Sequence, residues 1–540
     1  MKRITTIIVS AVMAVAMTFS TTSCVNDLDV TPIDPNITLP EDVLNSIEAY
    51  QQLLAKCYSS LAVSSSEGPG GEADISGVDG GYGQYMRALF CLQELPTDEA
   101  STCWNDATIR DLHPMRWTTS DIFVAAVFSR MYFTIGQCNE FIRRAASAAD
   151  SLKGEEMDYM VAQARAVRAL AYYHAIDLFG NVPFATEANS VGATGPDQIL
   201  RYDLYEWLVN EIAGENGFRE GLRPASATEY GRCSREFATM LLAKLYLNAE
   251  VFTSDDPQGR PVISAWAECA EESKTIVESY SALPADYQSN FRADNHLSKE
   301  IIFAVQSDGT NIQSYGITTF LIKGSVPSGA PNWSSALGVD DGWGGLVVTP
   351  QFLDLFDEDA DSRFLFTDGA EFNDKDIDPH TRSIEDMTLF TYGWCTKKYT
   401  NLRSDGTPAT LTFPDTDLPV FRAADAYLML TEAQFRNGGI LSDGLASINA
   451  VRERAGLEPY SGAGEITERD IIDERGRELY WECMRRQDLI RFGLFTTDEY
   501  VWDWKGDTFA GSAVEEHRNL YPIPSTEINS NDKLDQNPGY

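Results

Sequence analysis

The sequence has few histidines and few basic side chains for its length of 540 residues. The 5 histidines are scattered, and no HExxH or GxSxG pattern accompanies them, so neither a zinc-protease motif nor a nucleophile elbow is present. The 42 basic residues are outnumbered by 81 acidic ones, which gives a net charge of −39. Because this charge repels phosphate backbones and anionic lipids, we expect no nucleic-acid partner and attribute the acidity to solubility outside the cell.

Cysteine is sparse as well, at 9 residues. That density is far below the density of a disulfide scaffold, and no CxxC or Cys/His cluster has zinc-ligand spacing. The glycines between residues 68 and 83 lack a P-loop lysine, so they do not predict a phosphate site. We therefore predict no metal and no cofactor. An irregular calcium site at Asp357, Asp359 and Asp361 is the alternative to a solvated acidic turn.

The apolar run at the start of the chain, residues 4–19, follows Lys2 and Arg3 and is too short for a stable membrane span. It predicts a secretory signal peptide over residues 1–23. The residues before Cys24 resemble a bacterial lipobox, although Thr22 stands where a larger apolar residue or alanine is common. The resemblance implies that Cys24 is acylated, with residues 24–40 as a tether rich in Asn, Asp and Pro. If Cys24 is a chance thiol, the product is soluble and periplasmic.

Helical periodicity dominates the rest of the chain. It predicts helices over residues 39–61, 120–149, 154–179, 202–212, 234–252, 264–280, 422–437, 442–455 and 467–491. Residues 301–306 predict a short strand, whereas 64–85 and most of 308–417 are rich in turn-forming residues. No Pro/Ser linker divides the chain, so we expect one domain over residues 41–540. Its helices would lie mainly in 41–280 and 420–492, and its loop-rich region in about 64–117 and 300–420.

Residues 162–184, AQARAVRALAYYHAIDLFGNVPF, combine an Ala-rich helical face with Gly180 and Pro183, which stop the helix. Other distinctive blocks are IGQCNEFI (135–142), FLDLFDEDADSR (352–363), RAADAYLMLTEA (422–433), INAVRERAG (448–456), ERGREL (474–479), YPIP (521–524) and NPGY (537–540). In this order the blocks resemble the SusD/RagB family of outer-membrane nutrient-uptake lipoproteins. One departure is Ser362, which replaces the proline of the family's Asp-Pro-Arg element.

The resemblance implies a mainly α fold, a tetratricopeptide-like helical-repeat scaffold with a loop-rich, mixed insert packed on it. It further implies a noncatalytic, cell-surface lipoprotein, anchored in the outer membrane, that captures oligosaccharides. Its partner would be a SusC-like TonB-dependent transporter, to which the glycan is delivered. The capture of peptides or another nutrient by the same fold is the nearest alternative. A protein-binding helical-repeat scaffold and an exported glycoside hydrolase are further alternatives from other classes.

Four aromatic residues in the predicted loops have polar or flexible neighbours, namely Trp104, Tyr315, Trp333 and Trp343. A flat ring can stack on the apolar face of a sugar while nearby polar side chains bond its hydroxyls. We therefore predict these four as candidate ligand-binding residues. The alternative for each is that the ring anchors its loop on the core. Trp207, Trp266 and Trp481 lie in predicted helices, which favours a core position for them.

Acidic and basic residues are concentrated in the last predicted helix and could be mistaken for a catalytic cluster. Glu482 lies three and four residues before Arg485 and Arg486, and Arg485 lies three before Asp488. At this helical spacing the opposite charges can neutralise one another. We therefore predict a structural role for this cluster and no catalytic residue.

Overall fold

The computed structural model describes residues 43–189 and 195–540. The predicted signal peptide, Cys24 and the tether of residues 24–40 lie outside the described residues. Contacts divide the chain into Met1–Ala49 and a body of Tyr50–Tyr540. Of the first unit, the structure describes residues 43–49, which include the start of the first helix. Within the described ranges, no helix combines the length and the apolar character that crossing a membrane requires.

Helices dominate the described structure. They are α1 (Ile47–Ala62), α2 (Tyr85–Gln93), α3 (Ile122–Ala146), α4 (Glu155–Phe179), α5 (Arg201–Ala213), α6 (Arg235–Leu247), α7 (Ala249–Thr253), α8 (Trp266–Ser279), α9 (Ile317–Gly324), α10 (Pro331–Ala336), α11 (Pro350–Leu353), α12 (Ala423–Arg436), α13 (Ser442–Arg454), α14 (Glu468–Leu479), α15 (Arg485–Arg491) and α16 (Ser525–Ser530). The predicted mainly α class is confirmed.

The strands are short and pair two by two in antiparallel fashion. They are β1 (Ser101–Thr102), β2 (Val182–Pro183), β3 (Gln198–Ile199), β4 (Ile301–Val305), β5 (Leu346–Val347), β6 (Phe366–Thr367), β7 (Cys395–Thr396) and β8 (Leu418–Arg422). The pairs are β1 with β5, β2 with β3, β4 with β8 and β6 with β7. The predicted strand at 301–306 is β4, and its partner β8 leads directly into α12.

Helices α3 and α4 form a helical hairpin, as the Ala-rich segment predicts. Asp121 caps α3 by accepting hydrogen bonds from the backbone N–H groups of Phe123 and Val124. Helix α4 ends at Gly180, whose φ of +69° favours glycine. Almost every residue from Met157 onward in α4 is buried, so this helix lies inside the core and does not merely present a narrow face to it.

Helices that precede the loop-rich region and helices that follow it pack into one scaffold. Helix α8 packs on both α6 and α12, and α12 packs on α13. Between α8 and α12 lies the loop-rich region, which returns to the helices through the β4–β8 pair. This arrangement agrees with the predicted scaffold carrying a mixed insert.

Several boundaries differ from those predicted, and the first helix, predicted over residues 39–61, is Ile47–Ala62 in the structure. The predicted helix 467–491 is two helices, α14 and α15, because Trp481 and Cys483 have φ values of +60° and +63° and interrupt it. The predicted helix 234–252 is divided at Asn248 into α6 and α7. Helix α2 arises in a segment predicted to be loop, where its apolar residues are buried.

The charged cluster near the chain's end forms buried ion pairs, as expected for a structural role, but with other partners than predicted. Glu482 pairs with Arg422 and Lys398, at 2.7 Å in each case. Arg485 pairs with Asp98 at 2.7 Å. The predicted pairs of Glu482 with Arg485 and Arg486 do not form, because the helix that would align them is interrupted.

Candidate functional site

The short β1–β5 pair brings two distant aromatic residues together. Ser101 lies opposite Val347, and Thr102 lies opposite Leu346. The ladder continues one step further, where the backbone N–H of Cys103 donates to the carbonyl oxygen of Gly345 at 3.0 Å. The loop after β1, which carries Trp104, therefore lies beside the loop before β5, which carries Trp343.

Trp104 is fixed by its own indole group. Its Nε1 donates to the carbonyl oxygen of Gly344 at 2.7 Å, and its ring lies 5.6 Å from that of Phe320. The ring also lies against Gly345, where an added Cβ would stand 2.1 Å from Trp104 Cε2. The contact of the Trp104 ring with the backbone therefore requires glycine at position 345. The ring remains half-buried, with part of its surface open to solvent.

Trp343 and Tyr315 are positioned by the two ends of α9. The backbone N–H of Trp343 donates to the carbonyl oxygen of Lys323 at 2.7 Å, near the end of that helix. Tyr315 lies two residues before its start. The Tyr315 and Trp343 rings meet edge to face, with centroids 6.0 Å apart, and Phe413 lies 5.4 Å from Tyr315. Tyr315 and Trp343 are both half-buried.

A cation and an acid flank the Trp343 ring. Lys323 Nζ lies 6.0 Å from the ring centroid and forms an ion pair with Asp340. Asp340 also accepts a hydrogen bond from Thr412 Oγ1 at 2.8 Å. Burial raises the pKa of Asp340, but the bonds from Lys323 and Thr412 outweigh burial, so the pKa lies below its usual value. Asp340 is therefore held as a carboxylate and suits hydrogen bonding better than proton transfer.

Arg87 completes the other side of this aromatic site. Its guanidinium lies 4.5 Å from the centroid of Phe320 and donates to the carbonyl oxygens of Gly81 and Tyr315, at 3.0 and 3.1 Å. Its Nε is buried and has no hydrogen-bond partner in the structure. Arg87 thus joins the glycine-rich loop to Tyr315 and retains an unused donor.

Trp333, the fourth candidate, is separated from the other three by its burial. Its side chain is 0% exposed, and the ring stacks on Phe372 with centroids 4.8 Å apart. The loop-anchoring alternative therefore describes Trp333, because a fully covered ring has no face left for a ligand. Among the tryptophans expected in the core, Trp266 and Trp481 are buried and Trp207 is half-buried.

Sequence reasoning did not single out Arg87, Lys323 or Asp340. Arg87 and Lys323 come close to the aromatic residues of the site only in the folded chain, so spacing along the sequence carries no signal for these two residues. Asp340 does carry a signal in the sequence, because it precedes Trp343 by three residues in the same loop. The acidic triplet at 357–361 forms a turn in which Asp361 pairs with Arg363 at 2.8 Å. Among the described residues, no group of three or more His, Cys, Asp or Glu side chains could hold a metal ion.

Comparisons with known proteins agree with this architecture. Residues 299–540 match the model of the SusD family. The starch-binding protein SusD of Bacteroides thetaiotaomicron is 32% identical, over 98% of this chain and 98% of that protein. SusD-like protein P25 of Formosa agariphila is 25% identical, over 71% of this chain and 73% of its own.

Solved structures share the fold at lower identity. Surface glycan-binding protein A from Bacteroides thetaiotaomicron, in complex with laminarihexaose, has a TM-score of 0.69 at 20% identity, over 91% of this chain and 99% of that one. A SusD superfamily protein from Parabacteroides distasonis has a TM-score of 0.70 at 22% identity, with the same coverage of 91% and 99%. The tetratricopeptide-like helical fold and the identity along nearly the whole chain lead to one conclusion: this chain belongs to the SusD family.

Proposed function

We propose that this chain is a noncatalytic surface lipoprotein that binds oligosaccharides through Trp104, Tyr315 and Trp343. The observation that carries the proposal is that three half-buried aromatic residues come from separate segments to one region: the rings of Tyr315 and Trp343 meet, and Trp104 is hydrogen-bonded to Gly344, the residue after Trp343. Stacking of pyranose rings on such faces buries apolar surface and tolerates many sugars. Arg87, Lys323 and Asp340 would bond hydroxyl groups at the edges of the stacked sugars.

Two relatives support a glycan as the ligand. One of them is named as a starch-binding protein, and the other was solved with laminarihexaose. Both ligands are built from glucose units, so we propose a glucan as the first ligand class to test. The charge of −39 on the whole chain also suits a neutral ligand better than a polyanion.

We propose that the protein is not a catalyst because of the ion pairing and the burial of three acidic side chains. Asp340, beside Trp343, forms an ion pair with Lys323. Glu94 and Glu99 have raised pKa values because of burial, but they are at most 1% exposed and cannot meet a polysaccharide. A glycoside hydrolase needs two carboxyl groups facing one another across an open cleft. Hydrolysis of any glycan in a panel by the purified protein would contradict this part of the proposal.

Delivery to a SusC-like TonB-dependent outer-membrane transporter is the second half of the proposal. Acylation of Cys24 would hold the protein at the outer membrane, where the transporter lies. The test is to co-purify the chain from its own cells after mild detergent extraction. We expect a TonB-dependent transporter to be recovered with the wild-type protein, and Cys24→Ser to release the protein from the membrane fraction. Recovery without any transporter would contradict the delivery step.

Oligosaccharide binding is tested by calorimetric titration with malto- and laminari-oligosaccharides of several lengths. We expect saturable binding that strengthens with chain length until the three rings are covered. Substitution of Trp104 or Trp343 by alanine should weaken it. If no member of a broad glycan panel binds, or if neither substitution changes the affinity, the aromatic site is not the glycan site.

A further inference from the structure

A cleft of about 610 Å³ lies apart from the aromatic site, between α1 and β4. Its sides are formed by α1 with the loop that follows it, by Gly231 and Arg232, and by residues 310–313. Its floor is the end of β4 and Gln306. Trp104, Tyr315 and Trp343 do not line it. The volume is typical of a site for a small ligand.

The charge of this cleft is unusual for the protein. Within the part of the chain that the structure describes, none of the lining residues is an aspartate or a glutamate, although acidic residues outnumber basic ones by 81 to 42 in the whole chain. The lining includes one charged side chain, Arg232. A site without carboxylates and with one guanidinium favours an anionic ligand over a cationic one.

Arg232 is also the exception among the arginines that the structure describes. It alone has a guanidinium that forms neither a hydrogen bond nor an ion pair. The guanidinium lies 4.9 Å from the centroid of the Tyr58 ring. Tyr58 is itself fixed, because its hydroxyl donates to Gln163 Oε1 at 2.9 Å and accepts from the backbone N–H of Cys233 at 3.0 Å. Arg232 therefore rests on a rigid ring with its donors unused.

The remaining lining suits a sugar. Ala62, Phe303 and Ile312 provide apolar surface. Gln306, Asn311 and Gln313 provide amide groups. The side chains of Asn311 and Gln313 form hydrogen bonds only as donors, through Nδ2 and Nε2 respectively. Their carbonyl oxygens remain able to accept from hydroxyl groups. Apolar walls, amides and one unpaired guanidinium together match a sugar that carries a carboxylate.

We propose that this cleft is a second ligand site, which binds a uronic acid unit with its carboxylate on the Arg232 guanidinium. The planar guanidinium can bond both carboxylate oxygens at once, which selects an acidic sugar over its neutral counterpart. This inference rests on the proposed function, because it assumes that the ligands of this protein are sugars. The residues that form the second site are separate from those of the aromatic site. Gln313 lies two residues before Tyr315, so one chain segment contributes to both sites.

The test compares cellobiouronate with cellobiose, which differ at one carbon, by calorimetric titration of the whole protein. We expect the wild-type protein to bind cellobiouronate at least tenfold more tightly than cellobiose. Arg232→Gln should abolish this preference, whereas Arg232→Lys should keep a part of it. Arg235→Gln is the matched control, because Arg235 is exposed, lies three residues further on and does not line the cleft.

One further variant keeps this inference distinguishable from the proposed function. Trp343→Ala should weaken the binding of neutral oligosaccharides and leave the preference for cellobiouronate unchanged. If Trp343→Ala removes that preference, or if Arg232→Gln retains it, the second site is refuted. If instead no neutral glycan binds while the Arg232-dependent preference persists, the proposed function fails and the acidic-sugar site stands. Thermal unfolding of each variant checks that the fold is intact.

Discussion

The indole Nε1 of Trp104 donates a 2.7 Å hydrogen bond to the carbonyl oxygen of Gly344, the residue that follows Trp343. The bond links two loops that are 240 residues apart in sequence. It is supported by the β1–β5 pair below it and by the bonds of residues 343–345 to α9 and its following turn. The aromatic site is therefore held by backbone contacts and does not depend on a ligand for its assembly.

Replacing Trp343 by alanine should weaken oligosaccharide binding by about tenfold or more, because one of the two half-buried indole rings of the site is lost. Trp343→Phe should restore a part of the affinity. Titration calorimetry with the best-bound glycan measures both variants. Trp504→Ala is the matched control, since Trp504 is also half-buried and also lies outside the helices; its Nε1 donates to the carbonyl oxygen of Ile384 at 2.6 Å. Equal losses in the Trp343 and Trp504 variants would point to a general effect on folding.

Gly345→Ala should displace the Trp104 ring, because the new Cβ would lie 2.1 Å from its Cε2. We expect a loss of about 1–3 kcal/mol in the free energy of unfolding, as for other overpacked sites, together with weaker glycan binding. Urea unfolding and titration measure the two effects. At Gly464 an added Cβ meets nothing within 4 Å, so Gly464→Ala should leave both quantities unchanged. A Gly345→Ala protein with wild-type affinity would show that the position of Trp104 does not matter for binding.

Arg422→Ala should destabilise the protein by about 3–5 kcal/mol, because it leaves buried carboxylates without their counter-ion. Arg422 pairs with Glu300, with Glu478 at 3.0 Å and with Glu482 at 2.7 Å, and all these side chains are nearly inaccessible. The free energy of unfolding is measured with urea. The exposed pair of Lys274 with Asp443 provides the control, and Lys274→Ala should have a much smaller effect because solvent screens this pair. Similar losses in both variants would refute the structural role assigned to the buried cluster.

The stability of the protein should fall as the pH rises from about 5 to 9. Burial raises the pKa of Glu99 to about 8, with Arg485 acting against it, and it raises the pKa of the hydrogen-bonded Glu94 as well. A carboxyl with a raised pKa binds its proton more tightly in the folded state. Its contribution to stability is therefore complete below the unfolded value near 4.5 and is lost as the pH rises through the folded value.

Glu99→Gln should flatten this dependence, because the amide does not ionise. Urea unfolding at several pH values between 5 and 9 measures the slope. The exposed Glu499 supplies the control, and Glu499→Gln should keep the wild-type slope. Parallel curves for the wild-type and Glu99→Gln proteins would exclude this pair as the source of the dependence.

Helical periodicity predicted the scaffold well, because long buried helices leave a strong pattern. The predictions for α3 and α4 agree with the structure to within three residues at each end. The break between α14 and α15 could not be predicted in this way. The break is stabilised by two tertiary hydrogen bonds to Glu99. The backbone N–H of Trp481 donates to Glu99 Oε2 at 2.9 Å, and Trp481 Nε1 donates to the carbonyl oxygen of Glu99 at 2.8 Å. Such partners are hundreds of residues away in sequence.

The candidate site could be predicted only in part. An aromatic residue among polar neighbours identified Trp104, Tyr315 and Trp343, which the fold brings together, but the same signal identified Trp333, whose ring is covered by Phe372. Sequence neighbours do not reveal which side of a loop faces the core. Arg87 carried no signal because its contacts with Phe320 and Tyr315 are made across the fold.

The central claim is that the three rings form one glycan-binding surface. The most direct test is to titrate the wild-type protein and a Trp104→Ala/Trp343→Ala double variant with the same oligosaccharide series. The account predicts saturable binding by the wild-type protein and none detectable by a folded double variant. Undiminished binding by the double variant, at an unchanged unfolding temperature, would contradict it.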